Sequence, residues 1–186
     1  MSEVLIGGIE KREIVIVDHD PRWAAKFEHH AAIISQALGE KSLAIEHVGS
    51  TAVPGLAAKP IIDIDLLVAD SANEAAYLEP LLAAGYTLRV REPDWHQHRM
   101  LRTPELDVHI HIFTTGCVEH TRHVLFRDWL RTHSEDRLHY ESVKRRLATQ
   151  EWPDMNAYAD AKSTVVEAAL ARASGQHLHA PPAASA

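Results

Sequence analysis

The stretch His47-Val-Gly-Ser-Thr-Ala-Val-Pro-Gly-Leu-Ala-Ala-Lys59-Pro-Ile-Ile-Asp63-Ile-Asp65-Leu-Leu-Val68 joins a Gly-Ser turn to an apolar segment that carries two aspartates. On a strand, alternate side chains point to opposite faces. Asp63 and Asp65 therefore share one face, and Ile62, Ile64, Leu66 and Val68 share the other. The even positions make an apolar surface for a core. The odd positions set two carboxylates side by side, where they repel unless a cation stands between them. Oxygen ligands at this spacing suit Mg²⁺ or Mn²⁺. Upstream, Gly49, Ser50 and Thr51 offer backbone N–H groups and hydroxyls to a phosphate. Taken singly, an Asp-x-Asp pair also fits a solvated sheet face, and Gly-Ser a plain turn. Together, with Lys59 in the loop between them, they have the layout of a nucleotide site.

This segment resembles the signature of the GrpB family, a branch of the nucleotidyltransferase superfamily that includes DNA polymerase β. Gly49 and Ser50 match that superfamily's turn, and Asp63 and Asp65 match its metal-binding pair. The resemblance extends to Trp23 after Asp20-Pro21, His109-Ile-His111-Ile-Phe113, Phe126-Arg-Asp-Trp-Leu-Arg131, and Tyr158 with Ala161-Lys162. It covers about Ile14 to Arg172. It implies a polymerase β-like fold and a metal-dependent transfer of a nucleoside monophosphate from a nucleoside triphosphate to a small-molecule acceptor. It also implies a polar, non-carboxylate residue at position 109, followed by His111, where the superfamily places its third carboxylate. A similar domain is fused to dephospho-coenzyme A kinase in some bacteria.

At 186 residues the chain fits one domain with a sizeable core. Hydrophobic residues make up 46% and charged residues 24%, ordinary for a globular protein. A net charge of −7 argues against general nucleic-acid binding, which needs a basic surface. One cysteine, Cys117, forms no internal disulfide and fits a reducing compartment. No apolar run of about 18 residues is present, and the N-terminus lacks a signal-peptide core, so the expectation is a cytoplasmic protein with no membrane segment. Fourteen histidines are many, but one cysteine cannot supply a Cys/His zinc framework.

Along the chain, Ile14–Val17 reads as a short strand. Asp20-Pro21 then starts a helix with Trp23, Phe27 and Ile34 at helical spacing, ending at Leu38-Gly39. Strands follow at Ser42–Val48 and Ile61–Val68, a helix at Ser71–Ala84 closed by Gly85, and a strand at Tyr86–Val90. A hairpin with its turn at Thr103–Leu106 would pair Arg102 with Asp107, Met100 with His109 and His98 with His111. Its polar face would then continue that of Asp63 and Asp65, with Leu101, Val108, Ile110 and Ile112 on the other face and Arg99 the exception. The remainder reads as helices over Cys117–Thr132, Ser134–Gln150 and Asp154–Ala173. The expected architecture is α+β: one domain over residues 1–173, a mixed β-sheet flanked by helices, a C-terminal helical part from about 117, and a disordered tail over 174–186.

Nucleotidyl transfer needs a metal bridging phosphate oxygens, a placed hydroxyl nucleophile and cations for the leaving pyrophosphate. Asp63 and Asp65 would hold the metal, with His111 as catalytic partner. Lys59, Arg127 and Arg131 are the first candidates for phosphate; the two arginines share a helix face. His47, Arg99, Asp107, His109, Tyr158 and Lys162 complete the candidates. His47 and His111 fit a general base, a metal ligand or a hydrogen-bonded structural histidine. The P-loop and Gly-x-Ser-x-Gly patterns are absent: Lys59 precedes a proline, and Val48 stands where the elbow needs glycine. Two alternatives stay open. One is a histidine-metal hydrolase on His96, His98, His109 and His111. The other is a non-catalytic module that binds a nucleotide or coenzyme A-like ligand and assists a partner protein.

Overall fold

The computed structural model describes residues 5–8, 10, 13–153 and 155–177. Asp20 starts helix α1 (Arg22–Leu38): its carboxylate accepts the Arg22 N–H at 2.9 Å, and its carbonyl accepts the Trp23 N–H. Gly39 ends the helix at φ +56°, a left-handed conformation cheap only for glycine. Strands β1 (Ala44–Val48) and β2 (Ile62–Val68) follow, then a short helix α2 (Leu78–Ala83). Strands β3 (Thr87–Glu92), β4 (His98–Arg102) and β5 (Val108–Thr114) complete a five-stranded sheet in the order β1-β2-β5-β4-β3. Among the described residues, strands β2 and β5 pair in parallel and the other neighbours antiparallel, so the sheet is mixed.

The alternation read from sequence holds. Ile62, Ile64, Leu66 and Val68 are buried with Ile110, Ile112 and Leu101 against Trp23, Ile34, Leu38, Tyr77 and Leu81. That face of the sheet is closed by α1 and α2. The other receives the C-terminal helices α3 (Val118–Thr132), α4 (Ser134–Ala148), α5 (Met155–Ala161) and α6 (Ser163–His177). The chain is thus α+β.

Several local expectations need correction. Ile14–Val17 forms no strand; Val17 makes one antiparallel bridge to Ala58. The Ser71 helix shrinks to a 3-10 turn at Glu74–Ala76 and α2, because Ser71 is bonded to Thr114 at the end of β5 (N–H to Oγ1, 3.0 Å) and does not start a helix. The single C-terminal helix is two, broken at Lys162, and its proposed cap Asp154 lies outside the described residues. Helix α6 continues through His177, past the boundary expected at 173; residues 178–186 lie outside the described residues.

The hairpin register differs by two residues from the expected one, pairing Arg102 with His109 and Met100 with His111. The connection is longer because Thr103 organises it: its hydroxyl accepts the Asp107 and Val108 N–H groups and donates to the Asp107 carboxylate at 2.7 Å. A two-residue slip preserves which face each side chain takes, whereas a one-residue slip would reverse it. His109 and His111 therefore still share the face of Asp63.

Candidate active site

Parallel pairing sets Asp63 of β2 beside His109 of β5, and Asp65 beside His111. His109 Nδ1 lies 3.5 Å and His111 Nε2 3.6 Å from Asp63 Oδ1. One ligand atom from each of the three lies within 4.8 Å of the others, a set that could hold a metal ion. Burial opposes charge on Asp63, but the two imidazoles outweigh it and hold its carboxyl well below the usual range. One carboxylate with two imidazoles is a borderline donor set, better suited to Mn²⁺ or another transition metal than to Mg²⁺.

Asp65 departs from the expected pair. It does share a face with Asp63, but α3 lies over it and its side chain is fully buried. His120 Nδ1 and His123 Nδ1 both donate to it at 2.9 Å. A carboxylate without water needs such donors, and the face taken as open belongs to a helix. Burial raises the Asp65 pKa less than these histidines lower it, and burial of His123 is likewise outweighed by Asp65, which raises its pKa.

The Gly-Ser turn is held from several sides. Gly49 adopts φ +72° and ψ −173°, and a Cβ there would stand 2.6 Å from Asp63 Oδ2. Only glycine lets the turn approach the carboxylate this closely. Ser50 and Tyr140 of α4 line the same cavity. The Thr51 hydroxyl donates to the Ile61 carbonyl (3.1 Å) and so accepts from His47 Nε2 (3.0 Å). His47 is buried and stacks on Phe27 at 4.8 Å, and burial pushes its pKa down to about 4. It is a structural support beneath the turn, outside the cavity lining.

Arg127 and Arg131 also leave the phosphate role. Arg127 is buried, paired with Glu46 and Asp128, and donates to the His47 carbonyl at 3.0 Å. Arg131 donates twice to the Ala52 carbonyl (3.0 and 2.9 Å). They brace the strand end and the turn because carbonyls and acids already occupy their donors. Arg99 points to the opposite face, where it pairs with Glu74 at 2.6 Å. Asp107 sits in the β4–β5 connection, bonded to Lys26 of α1 and Thr103, away from Asp63.

Between the sheet and the C-terminal helices lies a cavity of about 410 Å³, lined by Gly49, Ser50, Thr51, Asp63, His109 and His111 from the sheet side. Lys59, Tyr140, Lys144, Tyr158 and Lys162 line it as well, with Glu119, Arg122, His123 and Phe126 of α3. Lys59 and Lys162 stand over the Tyr158 ring at 5.0 and 4.6 Å, and Lys144 over Tyr140 at 4.6 Å. Lys144 is 2% exposed and donates to the Ala57 carbonyl; burial, aided by nearby Lys162, lowers its pKa to about 7. Burial lowers that of Lys162 too, against the pull of Asp63. Tyr158 is buried and, among the described residues, its hydroxyl has no partner. Clustered lysines and an unsatisfied hydroxyl in a cavity wall fit an anionic ligand with acceptor oxygens.

Tyr140, Lys144, His120 and His123 have no role in the reading of the sequence. Lys144 does leave a trace there: Tyr140, Val143, Lys144 and Leu147 form one buried stripe at helical spacing, and a lysine in such a stripe needs a reason.

Residues 13–172 match the model of the GrpB protein family, and the chain belongs to that family. It is 48% identical over 175 residues to a UPF0157 protein of Halalkalibacterium halodurans, covering 93% of this chain and 90% of that one. A crystal structure of conserved protein GrpB from Enterococcus faecalis superposes with a TM-score of 0.74 at 29% identity, covering 85% of this chain and 98% of that chain. A dephospho-CoA kinase of Mycolicibacterium paratuberculosis is 31% identical over 191 residues, covering 89% of this chain and 47% of that protein.

Proposed function

We propose that the cavity binds a nucleoside triphosphate with a divalent cation and passes its nucleotidyl group to a small-molecule acceptor. The observation that carries this reading is the composition of one cavity: a carboxylate-imidazole cation set on the sheet, lysines on the helical side and the Gly49-Ser50 turn between them. The acceptor hydroxyl gives its proton to solvent water as its oxygen bonds the α-phosphorus, and the bond to pyrophosphate breaks, the pyrophosphate leaving with the bonding electron pair. Asp63, His109 and His111 would hold the cation, which neutralises phosphate oxygens when bound. Ser50 and the turn amides orient the phosphates. Lys59, Lys144 and Lys162 offset the charge of the departing pyrophosphate, and Tyr158 donates its hydroxyl hydrogen to a phosphate or ribose oxygen.

Mn²⁺ with ATP should raise the melting temperature, since a ligand at 100 times its Kd stabilises by about 2.7 kcal/mol. Asp63→Asn should remove the rise. Transfer of label from α-labelled nucleotides into a metabolite extract then tests turnover. A full thermal response in Asp63→Asn would place binding elsewhere.

A second reading, a non-catalytic module for a nucleotide or coenzyme A-like ligand, is favoured by Asp65. Its carboxylate is already taken by two imidazoles, so a two-metal arrangement lacks its second acid. Binding without label transfer for any of the four nucleotides would select that reading.

A further inference from the structure

Behind His111 a second imidazole leads back to the sheet edge. His98 of β4 is 5% exposed. Its Nδ1 lies 2.7 Å from Glu92 Oε2 at the end of β3, and its Nε2 lies 3.1 Å from His111 Nδ1. The two imidazoles stack with centroids 5.3 Å apart, and Phe113 flanks His98 at 4.9 Å. The turn that delivers His98 is costly. His96 and Gln97 take φ of 53° and 52°, values that non-glycine residues seldom adopt in succession.

Hydrogen placement follows from the ends of the row. A carboxylate only accepts, so in the first contact the hydrogen sits on His98 Nδ1. The neutral His98 ring then holds a lone pair at Nε2, and the hydrogen of the second contact belongs to His111 Nδ1. A neutral His111 with hydrogen there keeps a lone pair at Nε2, the atom 3.6 Å from Asp63 Oδ1. A lone pair and a carboxylate turned toward each other repel, unless a proton on Nε2 or a metal cation lies between them.

We propose that Glu92 and His98 are positioning residues that hold His111 in its Nδ1–H tautomer with Nε2 turned toward Asp63. This rests on the reading of Asp63, His109 and His111 as cation ligands, and it adds the partners that set the orientation of one of them. Outer partners of this kind commonly change metal affinity by about 10- to 100-fold when removed.

The test uses the full chain, ¹⁵N-labelled at histidine, metal-free and at pH 8, where an ordinary imidazole is neutral. The His111 signals are assigned by difference from His111→Gln. Wild type should show His111 protonated at Nδ1. Glu92→Met, at a side chain 32% exposed, and His98→Phe should shift it toward Nε2–H. In parallel Mn²⁺ titrations both variants should bind about 10- to 100-fold more weakly. His98→Gln, whose amide oxygen can accept from Nδ1–H, should recover most of the loss. His111 found as Nε2–H in wild type, a tautomer unchanged in both variants, or unaltered Mn²⁺ affinity after its loss would overturn the proposal. If the tautomer behaves as stated and wild type binds no Mn²⁺, the positioning stands and the cation reading fails.

Discussion

Gly49→Ala tests how closely the turn and the carboxylate are built to each other. The added Cβ would stand 2.6 Å from Asp63 Oδ2 and 3.2 Å from Asp63 Cβ, where ordinary contact begins at 3.4 Å. The glycine also holds φ +72° with ψ −173°, a region nearly closed to other residues that costs about 1–3 kcal/mol. Crowding adds roughly 1–3 kcal/mol. A combined loss of about 2–6 kcal/mol lowers the melting temperature by about 4 °C at the least for a chain of this length. Asp63 must also move, so Mn²⁺ affinity should fall by about the 10- to 100-fold seen when a ligand loses its orientation. Gly55→Ala is the control: its φ is +75°, but nothing stands within 4 Å of a Cβ there, so it carries strain without the clash. Urea melts and Mn²⁺ titrations of both variants read the two effects. Equal stability losses and wild-type Mn²⁺ affinity in Gly49→Ala would refute the close approach of turn and carboxylate.

Asp63→Asn, at a side chain 32% exposed, should abolish Mn²⁺ binding and cost less stability than Asp65→Asn, which should lose about 3 kcal/mol because it breaks a buried charged contact with two histidines; equal effects of the two on stability would contradict the division of roles. His47 has a folded pKa of about 4 against an ordinary 6.5, so between those values the unfolded chain binds the extra proton. Stability therefore falls as pH drops through that window, by about 1.4 kcal/mol per pH unit from this group, and His47→Gln should lose that part of the slope in urea melts across the range. Lys144→Met should weaken ATP binding by about 10-fold or more, through loss of a charge-assisted hydrogen bond, and should cost the ligand-free protein about 1–3 kcal/mol, since the buried Ala57 carbonyl loses its donor. Unchanged ATP titrations in Lys144→Met would take that lysine out of the phosphate site.

The parts legible in the sequence are those governed by local periodicity. The period of two on β2 separates the Ile62 face from the Asp63 face, and the same period keeps His109 and His111 on the site side despite a two-residue register error. The helix start at Asp20 carries its own signal; Ser134 does not cap α4 as expected, being its first helical residue behind His133, with no side-chain cap bond. The break at Lys162 carries none: Ala161-Lys162-Ser163 contains neither glycine nor proline, and what distinguishes the position is tertiary, a lysine set over the Tyr158 ring in the cavity. Arg127 and Arg131 show the same limit. Their shared helix face is readable from spacing, but whether that face meets phosphate, acid or carbonyl depends on what β1 and the turn present to it.

Asp63 and Asp65 show why this limit bears on chemistry. The strand gives them one face and one direction, and nothing within the strand distinguishes them. What separates them is the line along which α3 crosses the sheet. It covers Asp65 and brings His120 and His123 onto it, while Asp63 stays at the cavity edge, 32% exposed. The missing second acid is replaced from the side by β5, whose register puts an imidazole beside each aspartate. A site assembled this way exchanges a hard oxygen pair for one carboxylate and two nitrogens. Its cation preference should move toward Mn²⁺ for that reason. The Glu92–His98 pair follows from the same exchange, because an imidazole ligand, unlike a carboxylate, must have its hydrogen placed on the far nitrogen before it can bind.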